Sequence, residues 1–237
     1  MQPVQRLLAL LAVVALPELA RAQFAETFDG GHNEGNYVLW FNVYNYLRPT
    51  GGNPGAMLEL DDVTTGSATC DQVDIAPTVW PSQLGGNFRA LGIDTVGIDV
   101  NVRAGRYGGT FSVTLTSDPG TPGNSADDCS ITYQHALGGP AVPGWVEYDF
   151  DVPSASTTIP GGWTVAGPCS GNPTAAWNTV MQDVDTVSFR IDAEPTSFCT
   201  FTNWILDVDN IRVGVRPIAS FCAGDGVDPV VTTACPC

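Results

Sequence analysis

The sequence contains no lysine, and all nine of its basic residues are arginine. Against them stand 25 acidic residues, which give a formal net charge of −16. A field of this sign repels phosphate backbones and anionic lipid head groups, so the composition argues against partners such as nucleic acid or a membrane surface. The two histidines are isolated from each other, and no His/Cys cluster has the ligand spacing of a zinc site.

Sequence signatures of catalysis are also missing. There is no Gly-x-Ser-x-Gly elbow, no His-Glu-x-x-His pair and no phosphate-binding loop. Beyond the first residues, no apolar run approaches the roughly 20 residues that span a bilayer. We therefore expect a protein that is not an enzyme and does not insert into a membrane.

Residues 1–22 have the features of an export signal. Arg6 supplies a positive start, residues 7–16 form an apolar run, and small residues stand where signal peptidase cleaves, after Ala22. A membrane anchor is the weaker alternative, because the run breaks at Pro17 and Glu18. The sequence predicts a secreted or cell-surface protein with one domain over residues 23–216 and a cysteine-rich tail over 217–237.

Seven cysteines in an exported chain favour disulfides. Cys70, Cys129, Cys169 and Cys199 lie in the body of the domain and allow three pairings, of which we favour Cys129 with Cys169 and Cys70 with Cys199. The tail holds the other three cysteines and ends on one of them, so we expect further chain to follow.

The apolar residues mostly alternate with polar ones, and 26 glycines and 18 prolines interrupt the pattern. Alternation over residues 96–102, 111–116, 146–152 and 187–192 predicts half-buried antiparallel strands. A short helix is expected at 177–181. Strands with one buried face and few helices predict an all-β fold of two stacked antiparallel sheets.

Several short motifs occur in an order that resembles a known group. They are a Glu-x-Phe-Asp start at residues 26–29, an aromatic and acidic strand at 145–153, a Pro-Gly-Gly-Trp loop at 160–163 and an Asp-Asn-Ile-x-Val end at 209–213. In this order they resemble the secreted bacterial jelly-roll domains of the galactose-binding-like and carbohydrate-binding type. The resemblance implies a two-sheet antiparallel jelly-roll β-sandwich, and its Cys-Pro-Cys tail is similar to those that follow such domains.

The resemblance also implies a structural calcium ion. In that group, a carboxylate near the start of the first strand and an acidic residue of the last strand bind calcium together with loop carbonyls. The matching residues here are Glu26 and Asp209, with Asp29 and Asn210 as weaker candidates. Calcium takes six to eight oxygen ligands, at roughly 2.3–2.6 Å, so two side chains alone do not suffice.

A sugar-binding site needs an exposed aromatic ring with polar groups beside it, because pyranose C–H faces stack on rings. Alternation places Trp145 on the polar face of its strand with Glu147 and Asp149. Trp163 and Trp177, which lie in Gly-, Pro- and Asn-rich context, are further candidates for ligand contact. These residues predict a binding module whose partner is a glycan or another extracellular surface component.

Two other functions stay open at this point. A structural or adhesion module would have the same fold without a glycan site. A jelly-roll glycoside hydrolase would use carboxylates such as those at residues 147–151, which faintly resemble an alternating carboxylate strand of retaining glycosidases. The shorter final aspartate and Pro153 argue against hydrolysis.

Overall fold

The structure is a computed structural model. It describes residues 24–29, 37–39, 43–62, 72–77, 84–104, 110–118, 127–136, 144–192 and 204–215. The predicted export signal, the cysteine-rich tail, Cys70 and Cys199 lie outside the described residues. Within the described part, no helix is long and apolar enough to cross a membrane.

Strands dominate the described chain. In order they are β1 (Phe24–Glu26), β2 (Tyr37–Leu39), β3 (Val43–Gly52), β4 (Gly55–Asp62), β5 (Gln72–Pro77), β6 (Thr95–Ala104), β7 (Thr110–Ser117), β8 (Cys129–Ala136), β9 (Trp145–Asp151), β10 (Trp163–Ala166), β11 (Thr186–Asp192) and β12 (Trp204–Gly214). The helical elements are α1 (Phe88–Leu91), a 3-10 helix (Gly167–Gly171) and α2 (Pro173–Gln182).

The strands form two six-stranded antiparallel sheets. The first has the order β3-β4-β12-β6-β9, with β1 also paired to β12. The second has the order β10-β8-β7-β11-β5-β2. The prediction of an all-β fold of two antiparallel sheets is confirmed, and the architecture is a jelly-roll β-sandwich.

Strand β12 lies in the middle of the first sheet and sets its two faces. Leu206 and Val208 belong to the core between the sheets, whereas Asp207 and Asp209 alternate with them and point outward. β4 pairs with the first half of β12 through Val208, and β1 pairs with its last residues, with Phe24 opposite Val213. The first and last described strands therefore lie side by side.

The core lies between the sheets, where each strand contributes every second residue. On β6 the predicted inward residues are all buried, and Phe111 of β7 stacks edge-on against Phe150 of β9 across the interior. At roughly 25 cal/mol per Å² of apolar surface, each large side chain of this kind stabilises the fold by about 1.5–3 kcal/mol. The inward residues of β6 are Val96, Ile98, Val100 and Val102.

Helix α2 closes one end of the sandwich. Pro173 stands at its first turn, and the Asn172 side chain accepts a hydrogen bond from the Ala175 N–H, which caps the start of the helix. Its Trp177 ring is fully buried and packs against Trp163 at 5.4 Å between centroids. This is the helix that the sequence predicts at 177–181.

The four predicted strands correspond to β6, β7, β9 and β11, with ends that agree within two residues. The predicted disulfide between Cys129 and Cys169 is also confirmed, and it joins the start of β8 to the 3-10 helix. Helix α1 has no counterpart in the sequence predictions, because four residues are too short to show a helical period.

Candidate functional site

The outer face of the first sheet carries a continuous row of side chains across five strands. Backbone pairing sets Tyr46 opposite Glu59, Glu59 opposite Asp207, Asp207 opposite Asn101 and Asn101 opposite Trp145. Directly paired residues point to the same side of a sheet. We call this set the cross-strand row.

The tip of the β3–β4 hairpin folds over this face. The Asn53 backbone N–H donates to Asp209 Oδ2 at 2.6 Å, and the Asn53 side chain donates to Asp99 Oδ2 at 3.2 Å. Gly52 permits the approach, because a Cβ there would overlap the Ala56 carbonyl and lie 2.7 Å from Asp209 Oδ2. Residues 51–55, which we call the hairpin tip, thus cover β12 at Asp209 and β6 at Asp99, two residues along each strand from the cross-strand row.

Trp145 lies at the edge of the sheet, on the outer face that alternation predicted. Its indole N–H donates to the Gly51 carbonyl at 3.2 Å, which fixes the side chain against the hairpin tip. The ring is part exposed. It is the one predicted ligand-binding tryptophan that reaches a surface in the described chain.

Arg212 organises three carboxylates on the same outer face as Trp145. Its guanidinium binds Asp99 Oδ1, Glu147 Oε1 and Asp149 Oδ1, each at 2.7 Å. These bonds raise the pKa of Arg212 against the opposing effect of its burial, which is the largest single influence. Glu147 keeps 65% of its side chain exposed and Asp149 keeps 40%, so both present oxygens to solvent.

A second charged cluster lies beside Tyr46. Glu59 binds Arg48 at 2.5 Å and also binds Arg103, and these hydrogen bonds lower the pKa of Glu59. Arg103 also binds Asp207 at 2.8 Å. Asp207 is buried, and desolvation raises its pKa even though Arg103 opposes the rise. Both arginine side chains stay more than 40% exposed.

Asp209, a predicted calcium ligand, is completely buried. Its oxygens accept from the backbone N–H groups of Asn53 and Asn210. Desolvation, helped by the charges of Asp99 and Asp29, raises its pKa to about 6 despite those bonds. A buried carboxylate that has acidic neighbours and accepts hydrogen bonds from neutral backbone N–H groups fits a nearby cation.

The other predicted calcium ligands lie around the same hairpin. Asp29 Oδ1 accepts from the Ala56 N–H at 2.8 Å, and Asn210 donates to the Asn53 carbonyl. Glu26 is buried and accepts from the Phe28 N–H at 3.1 Å. The chain thus brings Asp29, Asp209 and Asn210 to one hairpin tip, and β1 carries Glu26 to the end of β12.

A separate group of acids lies where β7 ends and β8 begins. Asp118, Asp127 and Asp128 offer carboxylate oxygens that all lie within 4.8 Å of one another, and Asp185 accepts from the Asp118 N–H. Burial and these neighbouring charges raise the pKa of Asp128. Among the described residues, these three acids form the one group whose carboxylate oxygens lie this close together. The predicted calcium ligands do not form such a group.

The prediction that Trp163 and Trp177 contact a ligand is wrong in this structure. Both rings are buried in the core, and their N–H groups are used by backbone carbonyls of Asp151 and Ser156. The Gly- and Pro-rich context that suggested a loop belongs to the turn before β10 and to the cap of α2. A ring that fills the sandwich end cannot stack on a sugar.

Sequence reasoning missed the part of the face that lies beyond β9. Tyr46, Arg48, Glu59, Asn101 and Arg103 come from three strands, and only sheet register places them on one face with Trp145. Alternation within each strand could have assigned their side of the sheet. The pattern within a single strand does not indicate which strands pair with β12, so it could not predict that these residues share a row.

The outer face of the second sheet is different in chemistry. Thr114 shares a hydrogen bond with Thr132, and Thr116 shares one with Ser130, so these hydroxyls are paired with each other. Thr164 donates to the Thr132 carbonyl. Among the residues of this sheet whose side chains the structure describes, none is an exposed aromatic ring.

No family model matches the chain, and no curated protein matches it. Similar solved structures are mostly carbohydrate-binding modules. An exo-beta-agarase has a TM-score of 0.52 at 12% identity over 81% of this chain, which spans only 25% of the agarase. A family 11 carbohydrate-binding module from Clostridium thermocellum, in complex with a beta-1,3-1,4-mixed-linked tetrasaccharide, has a TM-score of 0.47 at 14% identity over 81% of this chain and 95% of its own.

An adhesin domain of Lys-gingipain from Porphyromonas gingivalis W83 has a TM-score of 0.36 at 12% identity, over 82% of this chain and 98% of its own. At these identities the agarase match concerns the fold alone. It agrees with the jelly-roll architecture that the strand order shows.

Proposed function

We propose that this chain is a secreted, non-catalytic carbohydrate-binding module that recognises a glycan on the outer face of its first sheet. The observation that carries the proposal is Trp145, whose indole N–H is held by the Gly51 carbonyl and which lies on the same face of β9 as the exposed carboxylates of Glu147 and Asp149. A fixed, part-exposed ring next to polar groups suits the stacking and hydroxyl contacts of a sugar.

The carboxylates support binding over hydrolysis. Glu147 and Asp149 both accept from the same Arg212 Nη2, each at 2.7 Å. A retaining or inverting glycosidase instead uses two carboxyl groups that flank the scissile bond in separate roles. Because one guanidinium holds both carboxylates, their oxygens are placed together to accept hydrogen bonds from sugar hydroxyls.

Calcium is the second part of the proposal, with Asp209, Asp29, Asn210 and Glu26 as its candidate ligands. The complete burial of Asp209 supports it, because a cation would offset the desolvation of that carboxylate. Calcium would supply charge neutralisation at the hairpin tip and tie β1 to β12. The ion is proposed as structural and takes no part in glycan binding.

Affinity electrophoresis of the exported protein tests the function. Gels would contain neutral polysaccharides, including mixed-linked β-1,3-1,4-glucan, xylan and agarose. We expect at least one to retard the wild type, and we expect Trp145→Ala to migrate as in the blank gel. Retardation by none of them, or equal retardation of the variant, would contradict the proposed site. Release of reducing sugar would contradict the non-catalytic assignment.

A further inference from the structure

We propose that the glycan is an uncharged linear chain that crosses the strands of the first sheet, with Tyr46 and Arg48 forming a second sugar subsite at the edge opposite Trp145. This inference rests on the proposed function. It adds the class of ligand, the direction in which it lies and the residues at its far end.

The first step is the register of the sheet. The cross-strand row runs from Tyr46 on the edge strand β3 to Trp145 on the edge strand β9. Four interstrand steps separate the two rings, and at about 4.8 Å each they span about 19 Å. That distance is longer than one sugar, so one ligand that touches both rings must be a chain.

The second step is exposure. Among the residues whose side chains the structure describes, the large hydrophobic ones that stay exposed are Tyr46, at 40%, and Leu91, at 44%. Leu91 belongs to helix α1, whereas Tyr46 stands on the same face as Trp145. A part-exposed aromatic ring beside polar groups is the feature that a sugar C–H face would cover.

The third step is the donor groups beside Tyr46. The Arg48 guanidinium lies 4.9 Å from the Tyr46 ring centroid. Arg48 and Arg103 both donate hydrogen bonds to Glu59. Buried Glu59 and Asp207 hold these guanidinium groups in place while their outer edges stay in solvent. Donors that are fixed before binding lose little entropy when they meet a ligand.

The fourth step is charge. Two arginines face two buried carboxylates in this cluster, so their formal charges sum to zero. The chain as a whole carries −16, which repels an anionic polymer. Neutralised guanidinium groups on an acidic protein suit hydroxyl oxygens, and this is why we infer an uncharged glycan.

Isothermal titration calorimetry tests the inference with neutral oligosaccharides of the mixed-linked glucan, xylan and agarose series, from monosaccharide to hexasaccharide. For wild type we expect affinity to rise with chain length until the chain spans the row. For Tyr46→Ala we expect the rise to stop at a shorter chain, with binding of the longest oligosaccharide about three- to tenfold weaker. Tyr46→Phe keeps the ring and should behave as wild type.

Leu91→Ala is the matched control, since it removes the other exposed hydrophobic side chain from outside the sheet. It should leave the length dependence unchanged, and thermal melts would show that every variant folds. If Trp145→Ala abolishes binding but Tyr46→Ala keeps the wild-type length dependence, the second subsite is overturned while the proposed function stands. Stronger binding of oligogalacturonate than of every neutral series would overturn the uncharged ligand. Failure of wild type to bind any oligosaccharide would overturn the function itself.

Discussion

The indole N–H of Trp145 donates to the carbonyl oxygen of Gly51, 3.2 Å away, so the strand at one edge of the first sheet is tied to the hairpin that begins at the other edge. The Trp145 ring is part exposed and also hydrogen-bonded to the rest of the fold. This bond also means that Trp145 contributes to the position of the hairpin tip.

The first prediction separates these two roles. Trp145→Phe keeps an aromatic ring but removes the N–H donor, and we expect it to lower the free energy of unfolding by about 0.5–1.5 kcal/mol, the worth of one hydrogen bond. Urea denaturation measures the change. A loss of several kcal/mol, the size expected when a buried aromatic side chain is truncated, would mean that the ring belongs to the core.

The second prediction concerns the close approach of the hairpin tip to β12. Gly52→Ala would place a Cβ against the Ala56 carbonyl and 2.7 Å from Asp209 Oδ2, so the tip must move. We expect a loss of about 1–3 kcal/mol in the free energy of unfolding, as for overpacking. Gly161→Ala is the control, because its Cβ would meet nothing within 4 Å. Equal stability of the two variants would show that the tip does not lie on the sheet.

The third prediction is a pH dependence. The pKa of Glu59 is lowered by its hydrogen bonds to Arg48 and Arg103, so its charged form stabilises the fold above the ordinary value of 4.5. That contribution is lost as pH falls through the depressed pKa. We expect Glu59→Gln to be less stable than wild type at pH 7 by about 1–2 kcal/mol, because both arginines are partly screened by solvent.

Denaturation of both proteins across acid pH checks this sign. The stability gap between wild type and Glu59→Gln should close as Glu59 becomes protonated in the folded state. A gap that stays constant down to the acid transition would show that the variant acts through packing and not through the ion pairs.

Much of the sandwich could be predicted from the sequence because the alternation of apolar and polar residues within each strand indicates which face is buried. The residues at 96–102 alternate cleanly, and the structure buries the predicted side. The proposed binding face was harder to predict, because only four successive strand pairings place Tyr46 and Trp145 at the two ends of one row. The prediction for Trp163 and Trp177 was wrong for a different reason. Glycine, proline and asparagine mark turns and helix caps, and a buried aromatic residue can follow a turn or a cap.

The fourth prediction concerns the bond between Cys129 and Cys169. It closes a sequence separation of 40 residues, for which the chain-entropy model gives about 4 kcal/mol of stabilisation. Peptide mapping of the non-reduced protein should recover the two cysteines in one linked pair. The double variant Cys129→Ser with Cys169→Ser should lower the free energy of unfolding by about 2–5 kcal/mol. Alkylation of either thiol without reductant would contradict the pairing.

The last prediction tests the proposed calcium ion and its place. A ligand that binds only the folded state at a hundredfold excess over its dissociation constant stabilises by about 2.7 kcal/mol. We therefore expect chelation to lower the melting temperature and added calcium to restore it. Asp209→Asn should abolish the response to calcium, because it removes the charge of the buried carboxylate under the hairpin tip. Asp127→Asn is the matched control from the other acidic group and should respond as wild type does. If instead Asp127→Asn loses the response and Asp209→Asn keeps it, the ion binds between β7 and β8. An unchanged melt of wild type in chelator would rule out structural calcium at either place.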